Sequence, residues 1–250
     1  MASSVATDPI LALDGVVAGY GKLTVLRGTT FRVARGAITT IIGPNGAGKS
    51  TVFKTVFGLL PVERGKIFYD GLEITRLGPR RLLERGICYV PQGRNIFPEL
   101  SVRHNLEMGG ISAASQEEVA RRMASVMERF PALRERADAQ ASTLSGGQQK
   151  LLEIARGLLL EPKLMLVDEP SIGLSPRLVQ EIFGILTDLA QKGVTVLMVE
   201  QNARRALEIS DYGIVLELGQ TRVQDTAAAI LADAHVRQLF LGGGVVRAAG

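Results

Sequence analysis

Residues Gly43 to Thr51 read GPNGAGKST, and this stretch decides the fold. It satisfies G-x-x-x-x-G-K-[ST], follows the apolar run ITTII (38–42) and leads into TVFKTVFGLL (51–60). A strand, a glycine-rich turn and a helix in that order form a loop that cradles phosphate. Gly43, Gly46 and Gly48 let successive backbone N–H groups turn inward on phosphate oxygens, because a Cβ would obstruct both the dihedrals and the approach. Pro44, Asn45 and Ala47 complete that backbone cradle. The helix opening at Lys49, Ser50 and Thr51 presents its positive end to the same anion. Lys49 is placed to reach the β and γ phosphates, and the Ser50 hydroxyl to coordinate Mg²⁺.

Working outward, the runs ITTIIG (38–43), ICYVPQ (87–92), LMLVDEP (164–170) and VTVLMVE (194–200) are too continuously apolar to have one wet face. They predict a parallel sheet covered by helices on both sides. The intervening helix over 177–192 sets Leu178, Ile182, Leu186 and Leu189 near one face, and Gly193 stands where it stops. Asp168 and Glu169 end the LMLVDEP strand. Carboxylates at a strand's carboxyl end face the crevice where open α/β sheets bind ligands. Asp168 therefore suits the Mg²⁺ shell, and Glu169 suits orienting or deprotonating an attacking water.

The fold class is α/β, with a mostly parallel core in a single domain spanning residues 1–250. Residues 10–100 and 161–240 form the core, and 101–160 a helical subdomain inserted into it. Within that insert Ser115 and Glu118 have capping-box spacing. Val119, Met123, Val126, Met127 and Phe130 recur at helical intervals before Pro131, as a core-facing stripe does. The first forty residues and 62–76 alternate as antiparallel strands do. The Gly-rich stretch 241–250 reads as a loose tail, and no internal repeat is visible.

Composition narrows the function classes. Hydrophobic residues make up 46% of the 250-residue chain, enough for a real core. The single cysteine, Cys88, reads as a small core residue in a strand, in a reducing compartment. MASSVATDPI lacks the pattern of a signal peptide, and no run approaches the roughly 18 apolar residues of a membrane span. A net charge of +4 favours an anionic partner without identifying one. Aromatics at 5% argue against a stacking platform for nucleic acid, and His104 and His235, far apart with no cysteine cluster, form no zinc motif.

The stretch LSGGQQK (144–150), taken with the phosphate loop and the DEP tripeptide (168–170), resembles the signature of the ATP-binding-cassette (ABC) ATPases. Ser145 stands at an N-cap, followed by Gly146, Gly147 and Gln148 at the start of a helix, a second anion site. The resemblance implies that this site meets the ATP of an opposite subunit, so that two cassettes pair head-to-tail around two ATP molecules. It also assigns Tyr20 to stacking on adenine and Gln92 to contact with Mg²⁺ and the attacking water. Family members commonly carry a histidine on the γ phosphate where this chain has Gln201, whose amide can hydrogen-bond but cannot become a cation. Ser175 and Pro176 replace the aspartate that usually crosses the dimer.

DEPSIGLSP (168–176), VEQNARRAL (199–207) and VRQLFLGG (236–243) resemble one branch, the ATP-binding subunits of branched-chain amino-acid importers and their urea or short-amide relatives. The resemblance covers residues 10–243. It implies a peripheral protein on the cytoplasmic face of the inner membrane, with a periplasmic solute-binding protein engaged only indirectly. Ile96, Phe97 and Leu100 are expected to form an apolar groove for a permease helix. The rival classes are a soluble ATPase acting on DNA or ribosomes, whose relatives usually carry paired cassettes, coiled coils or zinc fingers, and a non-catalytic nucleotide sensor, against which Glu169 argues.

Overall fold

The computed structural model describes residues 8–93, 95–112 and 115–240, so the expected loose tail at 241–250 and most of the N-terminal stretch lie outside the described residues. In chain order the strands are β1 (Pro9–Tyr20), β2 (Leu23–Ala34), β3 (Ile38–Ile42), β4 (Val62–Tyr69), β5 (Leu72–Glu73), β6 (Ile87–Val90), β7 (Leu164–Asp168), β8 (Thr195–Val199), β9 (Tyr212–Glu217) and β10 (Gln220–Thr226). They form a six-stranded sheet in the order β10-β9-β3-β8-β7-β6 and a four-stranded antiparallel sheet in the order β2-β1-β4-β5. In the larger sheet β9, β3, β8, β7 and β6 run parallel, and only β10 is antiparallel to its neighbour.

The unbroken apolar runs have a direct physical reason. Leu164 and Leu166 of β7 and Leu197 and Val199 of β8 pack towards the antiparallel sheet. Their alternate neighbours Met165, Val167, Val196 and Met198 pack towards the helices on the other face. Successive strand residues point to opposite faces, and here both faces are buried.

Between β6 and β7 the described residues form helices and helical turns, pinned at their base by a bridge between Ser101 and Gln140. The helix Gln116–Arg129 starts at Ser115, whose hydroxyl accepts from the Glu118 amide at 3.2 Å. Met123, Val126, Met127 and Phe130 are buried in the same cluster as the sheet's helical face, as the stripe predicted. The helix Pro176–Gln191 buries Val179, Ile182, Phe183, Leu186 and Leu189, whereas Leu178 is only half-buried. Leu178 instead lies over Gly147, where an added Cβ would come within 2.4 Å of it. Cys88 is buried, and desolvation pushes its thiol up to about 12, so it behaves as a small apolar residue. A Cβ on Gly157 would meet the Cys88 sulfur at 2.8 Å, so glycine is what lets the helix Gly146–Leu158 approach β6 so closely.

Candidate active site

The chain leaves the carboxyl ends of β3, β6, β7 and β8 on one side of the parallel sheet, and a cleft of about 630 Å³ opens there. Tyr20, Asn45, Gly46, Gly48, Lys49, Ser50, Thr51, Gln92, Glu169 and Gln201 all line it. Residues from five separate stretches of sequence thus meet in one place.

The phosphate loop is shaped by its glycines. A Cβ at Gly43 would stand 2.0 Å from the Leu216 carbonyl oxygen, so no larger residue fits against β9. Gly48 has φ of 101° and caps the helix Lys49–Val56 without offering a side-chain acceptor to the first turn. That helix end is open to an external anion, unlike the start of the helix Ala203–Glu208, where the Asn202 side chain accepts from the Arg205 amide. Lys49 is buried, and its Nζ donates to the Gly43 and Pro44 carbonyls at 2.8 and 3.1 Å. Burial lowers its pKa, and Glu169 and Asp168 work the other way to keep the ammonium.

Two carboxylates with different surroundings follow on β7. Asp168 is 1% exposed; its Oδ1 accepts from Ser50 at 3.3 Å and its Oδ2 from the Tyr89 hydroxyl at 3.2 Å. Burial raises its pKa, and those hydrogen bonds offset only part of the shift. Glu169 faces the cleft and accepts from Gln92 Nε2 at 2.8 Å. Desolvation and the neighbouring Asp168 raise its pKa, which makes it the more basic for proton abstraction. Its φ of 47° is unusual for a residue with a side chain, and its amide is held by the Val199 carbonyl at 2.9 Å.

The polar end of β8 divides into separate roles. Asn202 caps the next helix, accepting from the Arg205 amide at 3.3 Å. Gln201 is exposed and lines the cleft. Glu200 is 2% exposed and turns away from it, accepting from the Ser171 amide and hydroxyl at 2.8 and 2.7 Å and from the Gln201 amide at 3.1 Å. Sequence reasoning missed Glu200, and also Tyr89 on Asp168; the signal for the former was a carboxylate directly behind a wholly apolar strand.

Tyr20 is 43% exposed at the mouth, with Lys54 Nζ 5.6 Å from its ring centre. Ser145, Gly146, Gly147 and Gln148 do not line the cleft. Ser145 forms a full capping box with Gln148, whose amide donates to its hydroxyl oxygen at 3.3 Å. The hydroxyl proton remains to be donated outward. Gly146 is exposed but Gly147 is buried under Leu178, so only the first of the two glycines stands open as expected. Ser175 and Pro176 serve the fold, as the N-cap and first residue of the helix Pro176–Gln191.

A second cavity, of about 640 Å³, lies beside β6 and is lined by Leu83, Pro91, Ile96, Phe97, Met108 and Leu160 among others. Leu100, expected there, does not line it; its backbone carbonyl accepts from the Ala141 amide at 2.9 Å. Phe97 is 44% exposed, with the Arg156 guanidinium 5.5 Å from its ring. Beneath, Lys150 and Glu153 form a buried ion pair at 2.5 Å. No helix among the described residues is long and apolar enough to cross a membrane.

The family model for ABC transporters matches residues 26–172. The branched-chain amino acid transport ATP-binding protein BraG of Pseudomonas aeruginosa is 43% identical over 234 residues, covering 94% of this chain and all of BraG. A probable LivF of Archaeoglobus fulgidus, described as a branched-chain amino acid transport ATP-binding protein, is 38% identical over 90% of this chain and 95% of its own length. The ADP conformation of MJ1267, an ATP-binding cassette of an ABC transporter, superposes with a TM-score of 0.85 at 31% identity, covering 94% of this chain and all of that one. Phosphate loop, paired carboxylates and signature helix, held in one cassette fold and matched along nearly the whole length, mean that this chain belongs to the ABC transporter family as an ATP-hydrolysing, nucleotide-binding subunit.

Proposed function

We propose that this chain powers import of branched-chain amino acids, pairing with a second cassette around two ATP molecules and driving permease subunits in the membrane. The observation that carries the reading is the likeness to BraG, which spans all of that protein. The same role in a urea or short-amide importer is the second reading, because the motifs at 168–176 and 199–207 resemble both kinds of importer.

The geometry supports a definite division of labour. The loop 43–51 holds the phosphates and Tyr20 stacks on the base. Glu169 takes the proton of the attacking water, which Gln92 and Gln201 help to orient. Ser50, Asp168 and Gln92 would hold Mg²⁺; the oxygen atoms of Ser50 and Asp168 already face each other at 3.3 Å, a donor set suited to a hard cation. When bound, that ion neutralises phosphate charge. Ser145 to Gln148 stand outside the cleft of their own chain and complete the site of the partner cassette. Gln201→Ala is expected to lower ATP turnover by about tenfold or more, the cost of a hydrogen bond to a charged group. A wild-type rate in a phosphate-release assay would remove Gln201 from the mechanism.

In this reading the cavity around Phe97 is the docking surface for a permease helix, and the chain sits peripherally on the cytoplasmic face of the inner membrane. Phe97→Asp puts a charge into an apolar lining. Nucleotide affinity is expected to stay at the wild-type value while the protein is lost from washed membranes that hold the permeases. A variant that still sediments and copurifies with the permeases would rule out this surface.

A further inference from the structure

Glu200 is a buried carboxylate that the division of labour above does not use, and among the described residues its hydrogen bonds all lead to the loops that bear the chemistry. Oε1 accepts from the Ser171 amide at 2.8 Å; Oε2 accepts from the Ser171 hydroxyl at 2.7 Å and the Gln201 amide at 3.1 Å. Ser171 lies two residues beyond Glu169, and Gln201 is the next residue in the chain. No Lys, Arg or His is hydrogen-bonded or ion-paired to Glu200 among the described contacts, so its charge is carried by these donors alone, in a site where burial and nearby Glu169 both disfavour it.

Such a costly arrangement has a geometric return. Glu169 sits at φ of 47°, a conformation that a side-chain-bearing residue holds only when its surroundings impose it. Its amide is bonded to Val199, immediately before Glu200, and its carbonyl accepts from Ile172 at 3.3 Å. The turn that aims Glu169 is thus fastened to the end of β8 by the Val199 carbonyl and, two residues later, by Glu200.

We infer that Glu200 is a positioning residue for hydrolysis, whose ionised carboxylate staples the turn after Glu169 to Gln201 and so sets water-orienting groups on both sides of the cleft at a fixed separation. This rests on Glu169 and Gln201 acting on the water. Each oxygen of Glu200 faces a backbone N–H. An amide in its place must set an NH₂ against one of those donors, whichever way it is turned.

Glu200→Gln, nearly identical in shape, is the test, assayed by phosphate release over a range of MgATP concentrations. The expected result is a fall in kcat of about 10- to 100-fold with KM for MgATP within about threefold, as a displaced reacting group produces. In a Gln201→Ala background the same change is expected to cost several-fold less, because the partner it positions is gone. Ser171→Ala, which removes only the hydroxyl, is expected to show the same kcat-selective loss at smaller size and serves if Glu200→Gln does not fold. Unchanged kcat in both variants, an equal cost with and without Gln201, or a parallel loss of nucleotide affinity would each overturn the inference. Glu169→Gln is run alongside: wild-type turnover there would sink the assignment of the water-activating residue, whatever Glu200 does.

Discussion

Glu169→Gln is expected to lower ATP turnover by about 10²- to 10⁴-fold while nucleotide affinity stays within about threefold, the separation a lost general base produces. The reason lies in what the substitution spares. Lys49, the phosphate loop and the buried Asp168 are untouched, so the groups that bind phosphate remain. The amide keeps the shape of the carboxylate but cannot accept a proton. It also disturbs the contact with Gln92, which donates its amide to Glu169 at 2.8 Å. Burial and Asp168 raise the basicity of Glu169 in the wild type, and among the described residues no other group lining the cleft is a carboxylate. Phosphate release at saturating MgATP, paired with titration of a fluorescent nucleotide, separates rate from affinity. Turnover within a few-fold of wild type would mean that another group or water chain takes the proton.

Glu153→Ala is expected to destabilise the fold by about 3–5 kcal/mol, the largest effect on stability foreseen for any single change discussed. The side chains of Lys150 and Glu153 are 7% and 2% exposed and meet at 2.5 Å. Lys150 also donates to the Gly93 carbonyl at 3.1 Å, Glu153 accepts from the Asn95 amide, and Arg156 donates to the Asn95 carbonyl. Removing the carboxylate leaves a buried ammonium without its counter-charge and frees the loop that carries Gln92 from its anchor on the signature helix. For a chain of this size the loss corresponds to a fall in Tm of roughly 6–20 °C. Lys150→Met combined with Glu153→Leu removes both charges at once, and is expected to regain most of that stability without restoring the anchor. A melting shift below about 2 °C for Glu153→Ala would show that the pair is solvated and contributes as weakly as surface pairs do.

How much of this was written in the sequence depends on the range of each interaction. The phosphate loop was legible because its function needs a contiguous backbone shape. Strands β3, β7 and β8 were legible because both faces are buried, which leaves an unbroken apolar run. The methionine stripe at 123 and 127 was legible as an amphipathic period. What escaped were contacts between distant segments. A carboxylate directly behind an apolar strand marks Glu200 as unusual, but its partner Ser171 comes from a different strand end and cannot be read from local sequence. Lys150 and Glu153 stood three apart on a helix flanked by Leu151, Leu152 and Ile154, a visible hint of burial, but their backbone partners at 93 and 95 could not be read from spacing. Leu100 stands close after Ile96 and Phe97 in the stretch following Gln92, which suggests one shared groove, but it does not line that cavity. Gly147 was read as an open amide, but it accommodates Leu178.

The importer reading joins a cleft built for ATP to a surface built for a permease, and it can be tested as one quantity. The protein is copurified with its permeases and cognate solute-binding protein, reconstituted in vesicles, and its ATPase rate is followed as binding protein loaded with leucine or with urea is added. Stimulation by the leucine-loaded form, lost in Phe97→Asp, is the predicted result. Stimulation by urea or a short amide alone would move the chain to the sister branch, and an ATPase rate indifferent to every loaded binding protein, with no permease recovered, would contradict a transport role.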